Sequence, residues 1–140
     1  MMIRVLVDVN VVLDVLLDRR PHVDGSAAVW AAIEAGNCEG LLAAHAVTTI
    51  HHLVRRELAA ANAKRTLAAM LRVFRVAAVD GRVMQEALEL PLADFEDSVT
   101  AAAALFAECD YIVTRDARGF RGSPVRCLTP EAAVPLLAGE

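Results

Sequence analysis

Close to the start of the chain, residues 5–17 read Val5-Leu-Val-Asp8-Val-Asn10-Val-Val-Leu-Asp-Val-Leu-Leu17, and they indicate the fold most directly. They continue an apolar, β-branched run over residues 3–7 that stops at a carboxylate, and such a run predicts a buried strand. The apolar residues 11–17 that follow predict a helix. A buried strand that is followed at once by a helix is typical of the βαβ units of a parallel sheet.

The rest of the chain continues this alternation of short apolar runs and longer helical segments. Further strands are predicted at residues 40–43, 76–79, 111–113 and 125–128. Helices are predicted at residues 26–35 with Ser26 as N-cap and Gly36 as its stop, at 46–60 and 64–74 joined around Asn62, at 81–90, at 94–107, and after the N-cap Thr129 with Pro130 in the first turn. The pattern predicts one domain over residues 1–140, a three-layer α/β/α fold with a central parallel sheet.

Composition excludes several classes of protein. The 140 residues are 56% hydrophobic and 4% aromatic, which excludes a disordered chain. No stretch approaches the ~20 apolar residues of a membrane span. The three cysteines, Cys38, Cys109 and Cys127, are scattered without a Cys-x-x-Cys pair, so neither a zinc ribbon nor a disulfide scaffold is indicated. We expect a cytoplasmic protein with no membrane partner.

Charge is unevenly distributed along the chain. The net charge of −4 argues against a protein that coats nucleic acid by bulk attraction. Residues 55–75, here called the basic arm, contain six basic residues and one acid, whereas residues 80–110 contain eight acids and one base. An acidic centre beside a basic arm would suit a metal site that handles a polyanion. Two solvated helix faces of opposite sign are the other interpretation.

Acidic residues follow two of the predicted strands and begin one of the predicted helices. Asp8 ends the first strand and Asp116 lies just past the strand at 111–113. Ligands of open parallel sheets bind beyond the carboxyl ends of the strands, so both acids belong to the edge where sites form. Asp94 and Asp97 open a helix and lie on one of its faces. Several carboxylates in one cleft repel one another unless a cation neutralises them.

The donor types in this acidic cleft indicate which cation it would hold. Oxygen ligands without histidine or cysteine spacing favour Mg²⁺ or Mn²⁺ over zinc. Each acid also has a structural explanation. Asp94 and Asp97 could cap their helix, Asp8 could accept hydrogen bonds in a turn with Asn10, and Asp116 could be an ordinary turn residue.

Three motifs in register resemble a PIN domain of the small, toxin-like VapC type. They are the opening stretch with Asp8 and Asn10, the helix start Asp94-Phe-Glu-Asp97-Ser-Val, and Asp110-Tyr-Ile-Val-Thr114-Arg115-Asp116. Their order and spacing match over essentially the whole chain. The resemblance implies a parallel sheet flanked by helices. It also implies that Asp8, Asp97 and Asp116 bind the metal, with the catalytic Asp94 nearby, and that Asn10 and Thr114 orient these acids.

The activity that this resemblance implies is Mg²⁺- or Mn²⁺-dependent cleavage of RNA. The cation would bind the scissile phosphate and lower the pKa of an attacking water, leaving a 5′-phosphate and a 3′-hydroxyl. The protein would be the toxin of a toxin–antitoxin pair, held inactive by an antitoxin protein and commonly dimeric. The residues that would contact RNA are Arg55, Arg56, Arg65, Arg72 and Arg75, with Arg115 and Arg118 as weaker candidates.

The sequence departs from the family's pattern at one position. Many members carry a further glutamate in a Thr-Leu-x-Glu-Leu motif, where this chain has Thr49-Ile50-His51-His52-Leu53, so His52 takes the place of that acid. The departure leaves open a degenerate PIN module that binds RNA or a protein partner without cutting it.

A phosphatase of the haloacid-dehalogenase type is a further alternative, with Asp8 as its nucleophile. The only lysine, Lys64, lies inside a predicted helix, and the chain has no room for a cap insertion, so this alternative is disfavoured.

Overall fold

The computed structural model describes residues 2–138. Its five strands are β1 (Arg4–Val7), β2 (Glu39–Ala43), β3 (Arg75–Ala77), β4 (Tyr111–Val113) and β5 (Arg126–Leu128). Its α-helices are α1 (Val9–Leu16), α2 (Val23–Glu34), α3 (Ala44–Glu57), α4 (Ala60–Val73), α5 (Gly81–Glu89), α6 (Phe95–Phe106) and α7 (Pro130–Leu137), with a 3₁₀ helix at Ala117–Phe120. The predicted alternation of strands and helices is confirmed.

The strands form one parallel sheet in the order β3-β2-β1-β4-β5. The chain builds outward from β1 through β2 to β3, and then crosses to the other side of β1 for β4. Val7 of β1 therefore lies opposite Val113 of β4, and the Asp8 amide donates to the Val113 carbonyl at 2.9 Å. This reversal of strand order creates a crevice at the carboxyl ends of β1 and β4, which is where open sheets bind ligands.

Buried side chains on both faces of the sheet produce the three layers. One cluster packs α1, α2, α4 and α7 against the sheet and includes Val11, Met70 and Leu137. The other packs α5 and α6 against the opposite face and includes Leu6 and Ile112. Residues 98–104 of α6 are all buried, and their small side chains let the helix lie close to the sheet. The predicted three-layer α/β/α fold is confirmed.

Two local predictions about helix boundaries were wrong. Helix α2 begins at Val23, so Ser26 lies inside it and is not its N-cap. The Ser26 hydroxyl is buried and donates instead to Asp14 Oδ2 at 2.9 Å. The break between α3 and α4 falls at residues 58–59, and Asn62 lies within α4, where its side chain accepts a hydrogen bond from Arg65 at 2.7 Å.

Side-chain caps define the starts of the later helices. Asp80, Asp94 and Thr129 each accept a hydrogen bond from a backbone amide three residues on, which satisfies a donor that the first turn would leave unpaired. Asp94 is therefore a helix cap, which was the alternative to a role in the site in the sequence analysis. Within residues 2–138, no helix is long and apolar enough to cross a membrane.

Candidate metal and nuclease site

Asp8 is the acid at the centre of the crevice. It ends β1 and caps α1, accepting from the Val9 amide at 2.8 Å through Oδ1 and from the Thr114 hydroxyl at 2.8 Å through Oδ2. Burial raises the pKa of the Asp8 carboxyl, the two hydrogen bonds oppose this, and the charges of Glu96 and Asp116 raise it further. The carboxylate is held in one orientation although its surroundings disfavour its charge.

Thr114 and Asn10 connect Asp8 to the loop that carries Asp116. Thr114 is fully buried at the end of β4, and its hydroxyl accepts from the Asp116 amide at 3.0 Å while it donates to Asp8. The Asn10 amide nitrogen lies 3.4 Å from both Asp8 Oδ2 and the Thr114 hydroxyl, and its oxygen accepts from the Arg115 amide at 3.2 Å. This network fits the orienting role that the resemblance implied for both residues.

Asp97 reaches the crevice from the first turn of α6. Its amide donates to the capping carboxylate of Asp94 at 3.1 Å, which fixes the start of the helix. Burial, followed by the charges of Asp8, Asp94, Asp116 and Glu96, raises the pKa of the Asp97 carboxyl to about 6. The charges that contribute to this shift belong to acids of all three sequence motifs.

Asp116 caps the 3₁₀ helix and meets Asp97 across Gly119. The Gly119 amide donates to Asp116 Oδ1 at 3.2 Å. A Cβ atom at Gly119 would lie 2.6 Å from Asp116 Oδ2 and 3.1 Å from Asp97 Oδ2, so both oxygens border the same small space. Only glycine leaves that space open. The two carboxylates thus converge on a place that an ion or a water molecule could fill.

The donor set fits a hydrated cation better than a closed protein cage. No three of the histidine, cysteine, aspartate and glutamate side chains in residues 2–138 converge closely enough to enclose a metal ion. Mg²⁺ keeps several of its waters and is commonly bound through one or two carboxylates together with substrate phosphates. The open space at Gly119 leaves room for such a hydrated cation, and the mutual repulsion of the acids favours a positive charge between them.

Helix α3 contributes His45 and Thr49, and not His52, to the acidic crevice. A small cavity of about 70 Å³ is lined by Asp8, Val9, His45, Thr49, Glu96, Asp97 and Thr100. His52 is exposed and does not line this cavity, because it lies a further turn along the helix from the sheet edge. The α3 side chains that line this cavity are therefore His45 and Thr49, and the correspondence of His52 to the family's glutamate stays a prediction from the sequence motif.

His45 is a site residue that the sequence analysis missed. Its Nε2 atom lies 3.4 Å from the Thr100 hydroxyl, its Nδ1 atom is buried without a partner among the described residues, and burial lowers the pKa of the ring. No metal-ligand spacing marks His45 in the sequence. Its position two residues after a predicted strand end, the same signal that identified Asp8 and Asp116, could have found it.

The predicted RNA-contacting arginines lie in different surroundings. Arg115 is half-buried, and its Nε atom donates to the fully buried Asp14 at 2.8 Å. Arg75 lies at the amino end of β3, on the opposite edge of the sheet from the acids, and pairs with Glu39. The exposed members of the predicted set that form no ion pair among the described residues are Arg55, Arg56, Arg65 and Arg72 on α3 and α4, and Arg118 on the 3₁₀ helix.

The sequence matches a family model described as a PIN domain over residues 4–118, most of the chain. No curated protein sequence matches it.

Solved structures share the fold at low sequence identity. FitAcB from Neisseria gonorrhoeae has a TM-score of 0.68 at 20% identity, covering 91% of this chain and 98% of that one. VapBC2 from Rickettsia felis, bound to a DNA fragment from its promoter, has a TM-score of 0.70 at 11% identity, with the same coverage of 91% and 98%. VapC20 from Mycobacterium tuberculosis, a sarcin-ricin loop cleaving toxin, has a TM-score of 0.62 at 16% identity, covering 77% of this chain and 86% of that one.

Proposed function

The chain belongs to the PIN-domain family, and from that membership we propose that it is a Mg²⁺- or Mn²⁺-dependent endoribonuclease, the toxin of a toxin–antitoxin pair. The single observation that carries the proposal is the convergence of Asp97 and Asp116 on the space at Gly119, beside the Asp8 carboxylate. RNA is the proposed substrate because one fold neighbour is a toxin that cleaves the sarcin-ricin loop.

In the proposed reaction, Asp8, Asp97 and Asp116 hold a hydrated cation, some of them through its bound waters. When bound there, Mg²⁺ or Mn²⁺ supplies charge neutralisation at the scissile phosphate and makes a water more acidic. Thr114 and Asn10 keep the Asp8 carboxylate oriented through their hydrogen bonds. Asp94 acts on the site through its cap of α6, which places Asp97 in the crevice.

The remaining proposals concern partners and substrate contacts. Fold neighbours from Rickettsia felis and Klebsiella pneumoniae are toxin–antitoxin assemblies, which supports an antitoxin protein as the partner of this chain. A homodimer is proposed on the family resemblance. The exposed arginines of the basic arm, Arg55, Arg56, Arg65 and Arg72, are proposed to attract the RNA, since a phosphate backbone binds where positive side chains are exposed.

The test is cleavage of single-stranded RNA by the full chain with Mg²⁺ or Mn²⁺ and with a chelator. Asp8→Asn and Asp97→Asn keep the shape of the side chain and remove its charge. Each is expected to lower the cleavage rate at least about a hundredfold, because a lost metal ligand removes several kcal/mol of charge stabilisation. Glu89→Gln, which changes an exposed acid of α5, is the control. Full cleavage by both site variants, or cleavage that survives chelation, would overturn the proposal.

A second candidate function is a PIN module that binds RNA without cutting it. Two observations favour it: the α3 residues that line the cavity of the acids, His45 and Thr49, carry no carboxylate, and no three histidine, cysteine, aspartate or glutamate side chains within residues 2–138 converge closely enough to hold a metal ion. This candidate predicts RNA binding that is unchanged by chelation, and no cleavage product with any divalent metal. A product that disappears in Asp97→Asn excludes it.

A further inference from the structure

A groove of about 620 Å³ runs beside the acidic crevice, on the side of the 3₁₀ helix. It lies between the segment that joins α5 to α6 and the turn that follows β4. The residues that line it are Pro91, Ala93, Arg118, Gly119, Arg121 and Gly122. Its charged lining residues are both arginines, so the groove has the sign of charge that suits an anion.

Gly119 joins this groove to the proposed cleavage site. It lines the groove, and it is also the residue whose missing side chain leaves a space against the Asp116 and Asp97 carboxylates. An anion seated in the groove would therefore extend directly to the acids. A chain of linked phosphates could lie along the groove with one of its phosphates at the acids.

The guanidinium groups of Arg118 and Arg121 are available to a ligand. Both side chains are exposed, and neither forms an ion pair or a side-chain hydrogen bond within the part of the chain that the structure describes. Arg115, three residues before Arg118, differs because it pairs with buried Asp14. The loop thus carries one arginine that holds the structure together and two that face solvent at the groove.

Two glycines keep the groove open. Gly122 has a φ of +92°, which side chains other than glycine rarely adopt, and a Cβ atom there would lie 2.9 Å from Pro91. A Cβ atom at Gly119 would collide with Asp116. At both glycines the backbone therefore lies close to a neighbouring side chain, Pro91 in one case and Asp116 in the other. Arg118 and Arg121 are the long side chains of the groove.

We propose that this groove binds the backbone of single-stranded RNA next to the bond that is cut, with Arg118 and Arg121 each contacting a phosphate. The inference rests on the proposed function, since it takes RNA as the substrate. It places the contacts closest to the cut on the 3₁₀ helix and its following turn, and leaves the basic arm to attract the strand from farther away. Arginine suits this role because its planar fork donates two hydrogen bonds to a phosphate.

The test measures binding of the full chain to a short, labelled single-stranded RNA of mixed sequence in a chelator, where no cleavage occurs. The double variant Arg118→Gln/Arg121→Gln is expected to weaken binding about tenfold or more. It should also reduce the slope of log affinity against log salt by about 0.7 for each phosphate that is no longer neutralised. Because neither arginine holds a structural contact among the described residues, its melting temperature should match the wild type.

A matched pair of arginines away from the groove provides the control. Arg20→Gln/Arg126→Gln removes the same charge from the turn before α2, where exposed Arg20 lies 3.7 Å from exposed Asp18, and from the amino end of β5. Equal losses of affinity and slope in both double variants would overturn the groove proposal, while cleavage by the wild type with Mg²⁺ would leave the nuclease standing. Conversely, the Arg118→Gln/Arg121→Gln variant alone could lose RNA affinity while the wild type cuts no RNA. That result would support the groove proposal and overturn the proposed catalysis.

Discussion

Acidic side chains at the two edges of the sheet have pKa values that are shifted in opposite directions. At the amino edge, Glu39 accepts from Arg4 at 2.7 Å and also from Arg75, and these two hydrogen bonds lower the pKa of its carboxyl. At the carboxyl edge, Asp8 and Asp97 form no ion pair within residues 2–138, and burial raises the pKa of both carboxyls. At the amino edge two arginines of the chain pair with Glu39, whereas Asp8 and Asp97 at the carboxyl edge have no such partner among the described residues.

Asp14, within α1, is an acid that does have an ion-pair partner, and the removal of that partner is expected to have a larger effect than any other change proposed below. This fully buried acid is bound by Arg115 at 2.8 Å and by Ser26 at 2.9 Å. Arg115→Ala would leave a buried carboxylate without its cation, so we expect the free energy of unfolding to fall by about 3–5 kcal/mol. Urea denaturation monitored by circular dichroism measures this difference.

Two further variants show whether removal of the cation is the cause. Arg118→Ala removes an exposed arginine three residues away and should change the free energy of unfolding by less than about 0.5 kcal/mol. Adding Asp14→Asn to Arg115→Ala should recover part of the loss, because the buried charge is then gone. If Arg115→Ala is as mild as Arg118→Ala, the pair is not a structural contact and Arg115 returns to the candidates for RNA binding.

The ends of β1, β4 and β5 were predictable because each of these strands is a local apolar run that stops at a polar residue. Asp8, Thr114 and Asp116 follow such runs, and a parallel sheet brings the carboxyl ends of its strands to one edge. The start of α6 was predictable for a similar reason, since a capping acid and an acid three residues later form a local pattern.

Some side-chain surroundings could not be predicted because they depend on contacts between residues that are distant in sequence. Ser26 looked like a helix cap because its partner, Asp14, belongs to another helix. Arg115 looked like a free cation for the same reason. Whether Thr49 or His52 lines the cavity of the acids depends on how far α3 projects from the sheet edge, and the sequence motif does not specify that.

The next prediction concerns Asp97, whose contribution to stability is expected to depend on pH. Its folded pKa of about 6 lies above the ordinary 3.8, so the native state holds the proton more tightly than the unfolded chain does. Without metal, stability should therefore fall as pH rises from about 4 to about 6 and stay low above that. Asp97→Asn should raise the melting temperature by a few degrees at about pH 7, and leave it unchanged at about pH 4.

Glu89→Gln on the exposed face of α5 is the control for this measurement and should not change the melting temperature at either pH. Added Mn²⁺ should stabilise the wild type at neutral pH and have less effect on Asp97→Asn, because one of the proposed ligands no longer carries a charge. A melting temperature that drops in Asp97→Asn at neutral pH would show that the carboxylate stabilises the fold, contrary to the contrast between the edges.

The smallest expected effect belongs to Glu39, and its sign is the opposite of that for Asp97. Since Arg4 and Arg75 lower its folded pKa, the Glu39 carboxylate stabilises the native state above its unfolded pKa, and this contribution is lost as pH falls through the folded pKa. Glu39→Gln should therefore lower the melting temperature at neutral pH and leave it unchanged in acid, and the change should be slight because these ion pairs are partly hydrated. Thermal melts of the two variants in the same buffers compare both edges directly. If both variants shift the melting temperature in the same direction at neutral pH, the nearby arginines are not what distinguishes Glu39 from Asp97.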